Sequence, residues 1–202
     1  MDEHTDEPQL LERSRRGDLS AFNILVERYQ QGVYNLCLRM LASPHSAEDA
    51  TQEAFIAAFK AIRSFRGQGF RAWLYRIASN ACYDDMRRRR SRPAASLDEP
   101  HGEGGQIIDV PEHQPSPHDR AEQQELGDLI QRALSSLHPD QRIAVILCDV
   151  QGFDYQEIAD SLGISLGTVK SRIFRGRLQM RAALVAMGGE LLPDRFRQES
   201  EG

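Results

Sequence analysis

Apolar residues recur at steps of three and four in the N-terminal half of the chain, which is the period of an amphipathic α-helix. They form three stripes, which span residues 22–40, 50–62 and 70–82. Ser43-Pro44 interrupts the pattern after the first stripe, and Ser46 with Asp49 resembles a capping box that would begin the second helix. Gly67-Gln68-Gly69 forms a short break before the third stripe. The pattern therefore predicts a helical N-terminal domain.

Helical spacing continues in the C-terminal half, where apolar residues share one face between 126 and 137. The run 143–147 is rich in β-branched side chains, which are common in strands. It is nevertheless flanked by helical segments and has no partner strand, so we predict a helix there. Since alternating strands are found nowhere else in the sequence, the predicted fold class is all-α, with two small helical domains.

The segment between these two halves has the composition of a linker. Five of the nine prolines lie between residues 93 and 118, together with three glycines, and the apolar period is lost there. Such a composition predicts a flexible connection. The expected organisation is an N-terminal domain, a linker, a C-terminal domain and a disordered tail, at residues 1–92, 93–119, 120–187 and 188–202.

The charge of the chain is concentrated in separate segments. The formal net charge is −5, which by itself disfavours binding to nucleic acid. Residues 63–92, however, hold nine arginines and two acids, a net charge of +7, and residues 165–181 carry +5. Residues 93–128 carry −8 and residues 1–12 carry −5. This arrangement predicts two basic surfaces suited to phosphate, separated by an acidic linker.

The composition excludes several classes of protein. No run of about 18 apolar residues exists, so no membrane-spanning helix is predicted, and the acidic N-terminus does not resemble a secretory signal. Three widely spaced cysteines predict neither a disulfide framework nor a zinc site, and a cytoplasmic location is expected. The six histidines lack ligand spacing and no catalytic cluster is found, so the sequence predicts no metal, no cofactor and no enzyme.

A helix-turn-helix motif is predicted between residues 154 and 175. Asp154 with Glu157 would cap its first helix, Gly163 would supply the turn, and Ser165 would cap a second, basic helix. That second helix would enter the major groove of DNA with its N-terminal residues near the base edges. The candidate contacts are Thr168, Lys170, Ser171, Arg172 and Arg175. The alternative is a helical hairpin whose basic face is only solvated.

Aromatic residues and arginines are interleaved in the segment 65–92. This mixture suits single-stranded DNA, because arginines meet phosphates while exposed bases stack on aromatic rings. Phe70 and Trp73 also lie on the third apolar stripe, so a place in the core is the alternative for them. Asn80 borders that stripe, where its amide could either pair with a base edge or satisfy a backbone group.

Several motifs together resemble a known family. The stretch Asp49-Ala50-Thr51-Gln52-Glu53-Ala54-Phe55 and the segment 65–80 are similar to sigma region two. The helix-turn-helix containing Gly167-Thr168-Val169-Lys170-Ser171-Arg172 is similar to sigma region four. The chain thus resembles the extracytoplasmic-function group of bacterial RNA polymerase sigma factors, over residues 9–92 and 120–186. The resemblance implies a polymerase subunit, not an enzyme, that gives core RNA polymerase its choice of promoter.

The resemblance also implies roles for individual residues. The segment 49–55 would dock on the clamp helices of the largest polymerase subunit, through Asp49, Gln52, Glu53 and Phe55. The segment 63–92 would read and melt the minus-10 element, through Phe65, Arg66, Gln68, Arg71, Trp73, Arg76, Asn80, Tyr83 and Arg87. The C-terminal domain would read the duplex minus-35 element, through Thr168, Lys170, Ser171, Arg172, Phe174 and Arg175.

Partners and a base pocket follow from the same resemblance. In the family a flipped minus-10 base enters a pocket formed by the loop before the third helix, and here that loop, Gly67-Gln68-Gly69, is one residue shorter than the usual pattern. The acidic linker would run toward the RNA exit channel of the polymerase. Family members are usually held inactive by an anti-sigma factor, which is often membrane-anchored, so such a partner could hold this chain at the membrane.

Two other classes of function compete with this interpretation. A stand-alone helix-turn-helix regulator would bind duplex DNA tightly by itself, usually at a two-fold-symmetric operator. A sigma factor would bind DNA weakly alone and open promoters only with core polymerase. A nucleic-acid enzyme would need a carboxylate cluster or metal ligands, and the sequence offers neither.

Overall fold

The computed structural model describes residues 6–66, 69–91 and 117–188, with the backbone alone for 117–122 and Gly188. These ranges contain helices and no strand, which confirms the predicted all-α class. A 3₁₀ turn, Ile62–Ser64, follows the third helix, and a π-helical turn, Ile146–Val150, continues the sixth. The helices are α1 Glu7–Arg15, α2 Leu19–Leu41, α3 Pro44–Ala61, α4 Phe70–Ser91, α5 Pro117–Ser135, α6 Pro139–Val145, α7 Tyr155–Leu162 and α8 Leu166–Gly188.

The N-terminal domain consists of α1 to α4, and α2, α3 and α4 pack against one another around the three predicted apolar stripes. Asp18 caps α2 by accepting a hydrogen bond from the backbone N–H of Ala21 at 3.1 Å. The predicted capping box at the start of α3 is wrong. Ser43 is the N-cap instead, and its hydroxyl accepts from the N–H of Ser46, because Pro44 suits the first turn of a helix.

Helix α1 has no counterpart among the predicted elements. It buries only Leu10 and Ser14, so two positions are too few to make a stripe that periodicity could reveal. The Ser14 hydroxyl donates to the carbonyl of Leu10 at 2.7 Å, which satisfies this buried polar group within the helix. Leu10 joins the common core of the domain.

The C-terminal domain consists of α5 to α8 and contains the predicted helix-turn-helix. Asp154 and Glu157 form a complete capping box at α7, and Gly163 ends that helix in the left-handed conformation at φ 65°. The hydroxyl of Ser165 accepts from the N–H of Thr168 at 3.2 Å, as expected for the start of α8. The β-prone run 143–147 is helical, as predicted.

A glycine in α8 sets the spacing between α6 and α8. A side chain at Gly176 would place its Cβ 2.6 Å from a methyl carbon of Val145 and 3.3 Å from the carbonyl oxygen of Gln141. The absence of a side chain at Gly176 therefore lets α8 pack closely on α6. Val169 and Ile173, on the same helix, are fully buried in the core.

The two domains contact each other. Helix α4 lies against α7, and α2 lies against α5, α6 and the π-helical turn. We call the surface between these elements the interdomain seam. Helix α5 begins at Pro117, inside the predicted linker range 93–119, since proline is accepted in a first helical turn. The rest of that linker, up to residue 116, and the predicted tail beyond Gly188 lie outside the described residues.

Candidate nucleic-acid and polymerase interfaces

An aromatic cluster lies under the N-terminal end of α4. The ring centroids of Phe65 and Trp73 are 4.8 Å apart, and those of Phe70 and Trp73 are 5.6 Å apart. Phe70 is fully buried and Trp73 is half-buried, which agrees with the core alternative for both. Phe65 was predicted as a minus-10 contact, yet the structure places it in the core, because its ring completes this cluster rather than facing solvent.

Four of the predicted minus-10 side chains lie on exposed positions of α4 and of the chain just before it. Arg66, Arg76, Asn80 and Arg87 are exposed, whereas Arg71 and Tyr83 are half-buried and Gln68 lies outside the described residues. Arg87 pairs with Asp84 one turn earlier, and Arg66 donates to the carbonyl of Arg63. Within the described ranges no hydrogen bond holds the Asn80 amide, so the alternative of a backbone-satisfying role is not seen there.

A cavity of about 260 Å³ opens where α4 meets the C-terminal domain. Arg76, Asn80 and Tyr83 line it from α4, and Asp140, Ser161 and Arg172 line it from the other side. The Ser161 hydroxyl is buried and has no hydrogen-bond partner among the described residues. Predicted minus-10 residues and a predicted minus-35 residue therefore face one another across the interdomain seam.

Tyr83, Asp140 and Arg172 form a polar chain along this cavity. The phenol of Tyr83 donates to Oδ1 of Asp140 at 3.0 Å, and Arg172 donates to Oδ2 of the same carboxylate at 2.6 Å. Burial, and then the neighbouring Asp140 charge, raise the pKa of the Tyr83 phenol above its ordinary value. Tyr83 therefore remains a donor, and the Asp140 carboxylate is held by one group from each domain.

The recognition helix α8 presents a basic and partly apolar surface. Lys170 and Arg175 are exposed, and Phe174 is 70% exposed, so three of the predicted minus-35 side chains are accessible. Thr168 and Ser171 are half-buried and bond locally, since the Ser171 hydroxyl donates to the carbonyl of Thr168 at 3.0 Å. The side chain of Arg172 is only 25% exposed because it is paired with Asp140.

Helix α3 carries an exposed polar face. Asp49, Gln52 and Glu53 are all exposed, and Glu53 pairs with Arg88 of α4 at 3.3 Å. Phe55 was predicted to share in docking, but it is 8% exposed and belongs to the core, since it lies on the side of α3 that packs against the other helices.

The sequence analysis did not predict that an apolar side chain, Ile56, lies on the exposed face of α3. Ile56 is 48% exposed, and it follows Asp49 by seven residues and Glu53 by three, which places the three side chains on one face. The same spacing could have been read from the sequence. Ile56, and not Phe55, is therefore the large apolar side chain that this face of α3 exposes.

In the part of the chain that the structure describes, no helix is both long and apolar enough to cross a membrane. The same residues contain no group of three or more histidine, cysteine or acidic side chains placed to hold a metal ion. Cys37 and Cys82 are buried free thiols, and Cys148 is partly exposed.

A helical domain with an arginine-rich helix, joined to a helix-turn-helix domain with a basic recognition helix, defines a two-domain transcription factor. Two family models match the chain in the corresponding places. Sigma-70 region 2 matches residues 25–92 and Sigma-70 region 4 matches residues 127–180. These two regions occur in the order that the sequence predicts.

Curated relatives and a solved structure agree with these matches. The chain is 38% identical over 172 residues to the ECF RNA polymerase sigma factor SigE of Mycolicibacterium smegmatis, covering 85% of this chain and 65% of that relative. It is 38% identical over 183 residues to the ECF RNA polymerase sigma-E factor of Escherichia coli, covering 88% and 93%. The sigma factor RpoE from Bartonella quintana, solved with the anti-sigma factor NepR, shares the fold at a TM-score of 0.63 and 24% identity, covering 84% of this chain and 99% of that one.

The chain belongs to the ECF sigma factors, which confirms the resemblance found in the sequence. It is a transcription-initiation factor rather than an enzyme. These matches favour the sigma factor over a stand-alone helix-turn-helix regulator.

Proposed function

We propose that this chain docks on core RNA polymerase through α3, opens the minus-10 element with α4 and reads the minus-35 element with α8. The observation that carries the proposal is the presence of three exposed surfaces that differ in chemistry. An acidic and apolar face lies on α3, an arginine row with Asn80 lies on α4, and a basic row lies on α8. Each surface has a different chemistry, which fits three different partners: core polymerase, the single-stranded minus-10 element and the duplex minus-35 element.

The proposed minus-10 surface combines charge with one unsatisfied amide. Arg66, Arg76 and Arg87 are exposed donors suited to the phosphates of a single strand. Asn80 lies among them with its amide free of hydrogen bonds in the described ranges, so it can offer both a donor and an acceptor to a base edge. A base turned out of the stack exposes its Watson–Crick edge to such a group, at a cost of a few kcal/mol of unstacking.

The proposed minus-35 surface is the exposed row of α8. Lys170 and Arg175 can reach phosphates or guanine acceptors in the major groove. Phe174 is exposed beside them and can contact the methyl group of thymine. Buried Val169 and Ile173 hold the helix on α6, so that these side chains are presented from a rigid element.

The proposed polymerase surface is the face of α3 with Asp49, Gln52, Glu53 and Ile56. Its acids suit a basic partner, and electrostatic complementarity of this kind sets the rate and orientation of association. Ile56 supplies the desolvated apolar contact on which affinity usually depends.

An anti-sigma factor is the proposed inhibitor of this chain, as NepR is solved in complex with the sigma factor RpoE. The chain is expected to act in the cytoplasm. An anti-sigma partner anchored in the membrane would hold the inactive chain at the membrane surface.

The proposed function is tested by reconstitution. The purified chain is combined with core RNA polymerase and a library of promoter sequences, and transcription start sites are mapped. We expect specific transcripts whose promoters share a minus-35 and a minus-10 sequence, with none from core polymerase or from the free chain. If no specific start site appears in the combined reaction, the proposed function is wrong.

Replacing Asn80 with alanine is expected to change the choice of minus-10 sequence. The substitution removes one base-edge contact, which in protein–DNA complexes discriminates by about 1–3 kcal/mol, or roughly fivefold to 150-fold between the best and the substituted base. Transcription from promoters that vary at single minus-10 positions measures this. An equal loss at every variant, or weaker binding to core polymerase, would instead assign a structural role to Asn80.

Replacing Arg172 with alanine is expected to weaken promoters that depend on the minus-35 element, by about tenfold. The Asp140 carboxylate holds the Arg172 guanidinium in place through their hydrogen bond. Arg172→Lys keeps the positive charge but not the planar guanidinium, so it should retain only part of the transcription from these promoters. The control is Arg177→Ala, since Arg177 also lies on α8 and forms a similar pair with Asp149 of the π-helical turn. Unchanged minus-35 footprints with Arg172→Ala would remove this residue from the interface.

A further inference from the structure

The cavity at the interdomain seam is lined by polar groups that have no partner among the described residues. Ser161 is 1% exposed, and its hydroxyl makes no hydrogen bond within the described ranges. The Arg76 guanidinium and the Asn80 amide line the same cavity, and neither has a hydrogen bond or an ion pair to a described residue. A buried hydroxyl without a partner is costly, so native structures usually satisfy such a group with water or a ligand. The cavity therefore offers unused donors to a molecule that enters it.

Both domains contribute to this group of donors. Arg76 and Asn80 lie on exposed positions of α4, whereas Ser161 lies in the last turn of α7. A Cβ at Gly163, the residue that ends α7, would lie 3.5 Å from Nη2 of Arg76. The Arg76 guanidinium therefore reaches across the seam to the end of the helix that carries Ser161.

The charged side chains that line the cavity leave it with a net charge of +1. Arg76 and Arg172 are positive, and the lining contains one acid, Asp140. The Asp140 carboxylate is already engaged, because its Oδ1 accepts from Tyr83 and its Oδ2 accepts from Nη2 of Arg172. An arginine has five N–H donors, so Arg172 keeps donors for a second acceptor. The cavity therefore favours an anion.

The size and the walls of the cavity suit one small oxyanion. Its volume is about 260 Å³, whereas a water molecule takes about 30 Å³ of the liquid. The cavity is thus large enough for one tetrahedral anion with part of its hydration shell. Leu162 and Ile164 form apolar parts of the wall, and a low local dielectric strengthens hydrogen bonds to a charged group. Guanidinium groups match the oxygens of phosphate in geometry and charge, so phosphate is the anion that these donors fit best.

We propose that this cavity binds a small phosphate-class anion, either inorganic phosphate or the phosphate group of a small metabolite, through Arg76, Arg172 and Ser161. The Asn80 amide supplies a further donor. The site does not rest on the proposed function, because the free chain forms it without polymerase or promoter DNA. A ligand that binds only the folded chain stabilises it, so phosphate should raise the temperature at which the chain unfolds.

The test begins with Ser161→Ala, which removes a buried hydroxyl that bonds to no described residue and is not a proposed DNA contact. This variant should fold at least as stably as the unchanged chain, yet bind phosphate about fivefold more weakly, the effect of one lost hydrogen bond. Arg76→Gln should weaken phosphate binding at least about tenfold, because a charge-assisted bond is lost. The matched controls are Ser14→Ala, a buried serine that bonds within α1, and Arg90→Gln, an exposed arginine of α4 outside the cavity.

The measurement is isothermal titration of sodium phosphate into the full-length chain, at constant ionic strength and with sodium chloride as the matched salt. We expect saturable binding of one phosphate to the unchanged chain and to both controls, and weaker binding to Ser161→Ala and Arg76→Gln. Thermal unfolding in the same buffers should show a smaller rise with phosphate for Ser161→Ala than for the unchanged chain. If phosphate gives no saturable heat beyond that of chloride, or binds Ser161→Ala as it binds the unchanged chain, the proposed site is wrong.

Further titrations distinguish the sources of the phosphate group. Pyrophosphate and a nucleoside monophosphate are tested in the same way, and tighter binding of either, with the same dependence on Ser161, supports the site and shows whether a free anion or an ester is preferred. A short single-stranded oligonucleotide of mixed sequence is the last probe. If its affinity falls with Ser161→Ala while that of phosphate does not, the cavity serves DNA alone and the small-anion site is overturned.

Discussion

Replacing Arg142 with methionine is expected to lower the free energy of unfolding of the full chain by about 3–5 kcal/mol. Arg142 is 8% exposed, and its guanidinium donates to three backbone carbonyls, those of Met40, Ser135 and Leu137, at 2.6, 2.6 and 3.2 Å. Methionine fills a similar volume but leaves the three carbonyls without this donor, of which the bonds to Met40 and Leu137 are buried, and each buried acceptor left unpaired costs roughly 1–3 kcal/mol. Urea denaturation followed by circular dichroism measures the loss.

The buried cation also suits the ends of two helices. The carbonyls of Met40 and Ser135 lie in the last turns of α2 and α5, where the helix dipole favours a positive charge. Burial lowers the pKa of Arg142 below its ordinary value, but an arginine begins so high that it stays charged near neutral pH. Hydrogen bonds to backbone carbonyl oxygens, and not an ion pair with a carboxylate, therefore offset the desolvation of the Arg142 guanidinium.

The control for this prediction is Arg132→Met, the same substitution at an exposed position of α5. It should change stability by no more than about 0.5 kcal/mol. Arg142→Lys should lie between the two, because one ammonium group cannot reach all three carbonyls. Equal unfolding curves for Arg142→Met and Arg132→Met would show that the three hydrogen bonds contribute nothing.

The helices were predictable because most of them carry a local signal. Apolar stripes marked α2, α3 and α4, and the capping residues Asp154, Gly163 and Ser165 marked α7 and the start of α8. Helix α1 carried no such signal, since it buries only Leu10 and Ser14. Local pattern thus predicts elements that bury a whole face and misses those that bury one or two residues.

The seam and the role of Arg142 could not be predicted in the same way. Arg142 directly precedes the apolar run 143–147 in the sequence, but one of its acceptors, the carbonyl of Met40, lies on α2, 102 positions away, and meets it only in the folded chain. The pairing of Tyr83 with Asp140 joins residues 57 positions apart. The sequence supported both a DNA-facing role for Tyr83 and the basic character of α8, yet it held no sign that one domain covers the other.

On α3 the sequence predicted Phe55 as a docking contact beside the polar residues, whereas the large apolar side chain that the structure exposes next to them is Ile56. Phe55 and Ile56 are adjacent, so they lie about 100° apart around the helix. The buried alanines Ala50, Ala54 and Ala58 mark the centre of the apolar stripe, which places Phe55 at its edge and Ile56 on the opposite side of the helix. Helical spacing therefore already separates the two residues, and the Phe55 side chain packs in the core.

Separate effects on stability and on polymerase binding are therefore expected from these two neighbours. Phe55→Ala should cost about 3–5 kcal/mol of unfolding free energy, because it empties a buried aromatic site. Ile56→Ala should leave stability within about 0.5 kcal/mol, since its side chain is already 48% exposed. It should nevertheless weaken binding to core polymerase about tenfold, as the loss of a central apolar contact does. Denaturation and a fluorescence binding assay with core polymerase measure the two quantities.

Ile24→Ala is the matched control, because Ile24 is a partly exposed isoleucine on α2, outside the proposed polymerase face of α3. It should change neither stability nor polymerase affinity by more than the error of the assays. The acids of the α3 face give a second check. If Ile56 lies at the centre of the interface, Ile56→Ala should leave the association rate unchanged and raise the dissociation rate. Glu53→Gln should mainly lower the association rate and make that rate less dependent on salt. Unchanged dissociation from core polymerase with Ile56→Ala, in a chain that remains folded, would place the docking surface elsewhere.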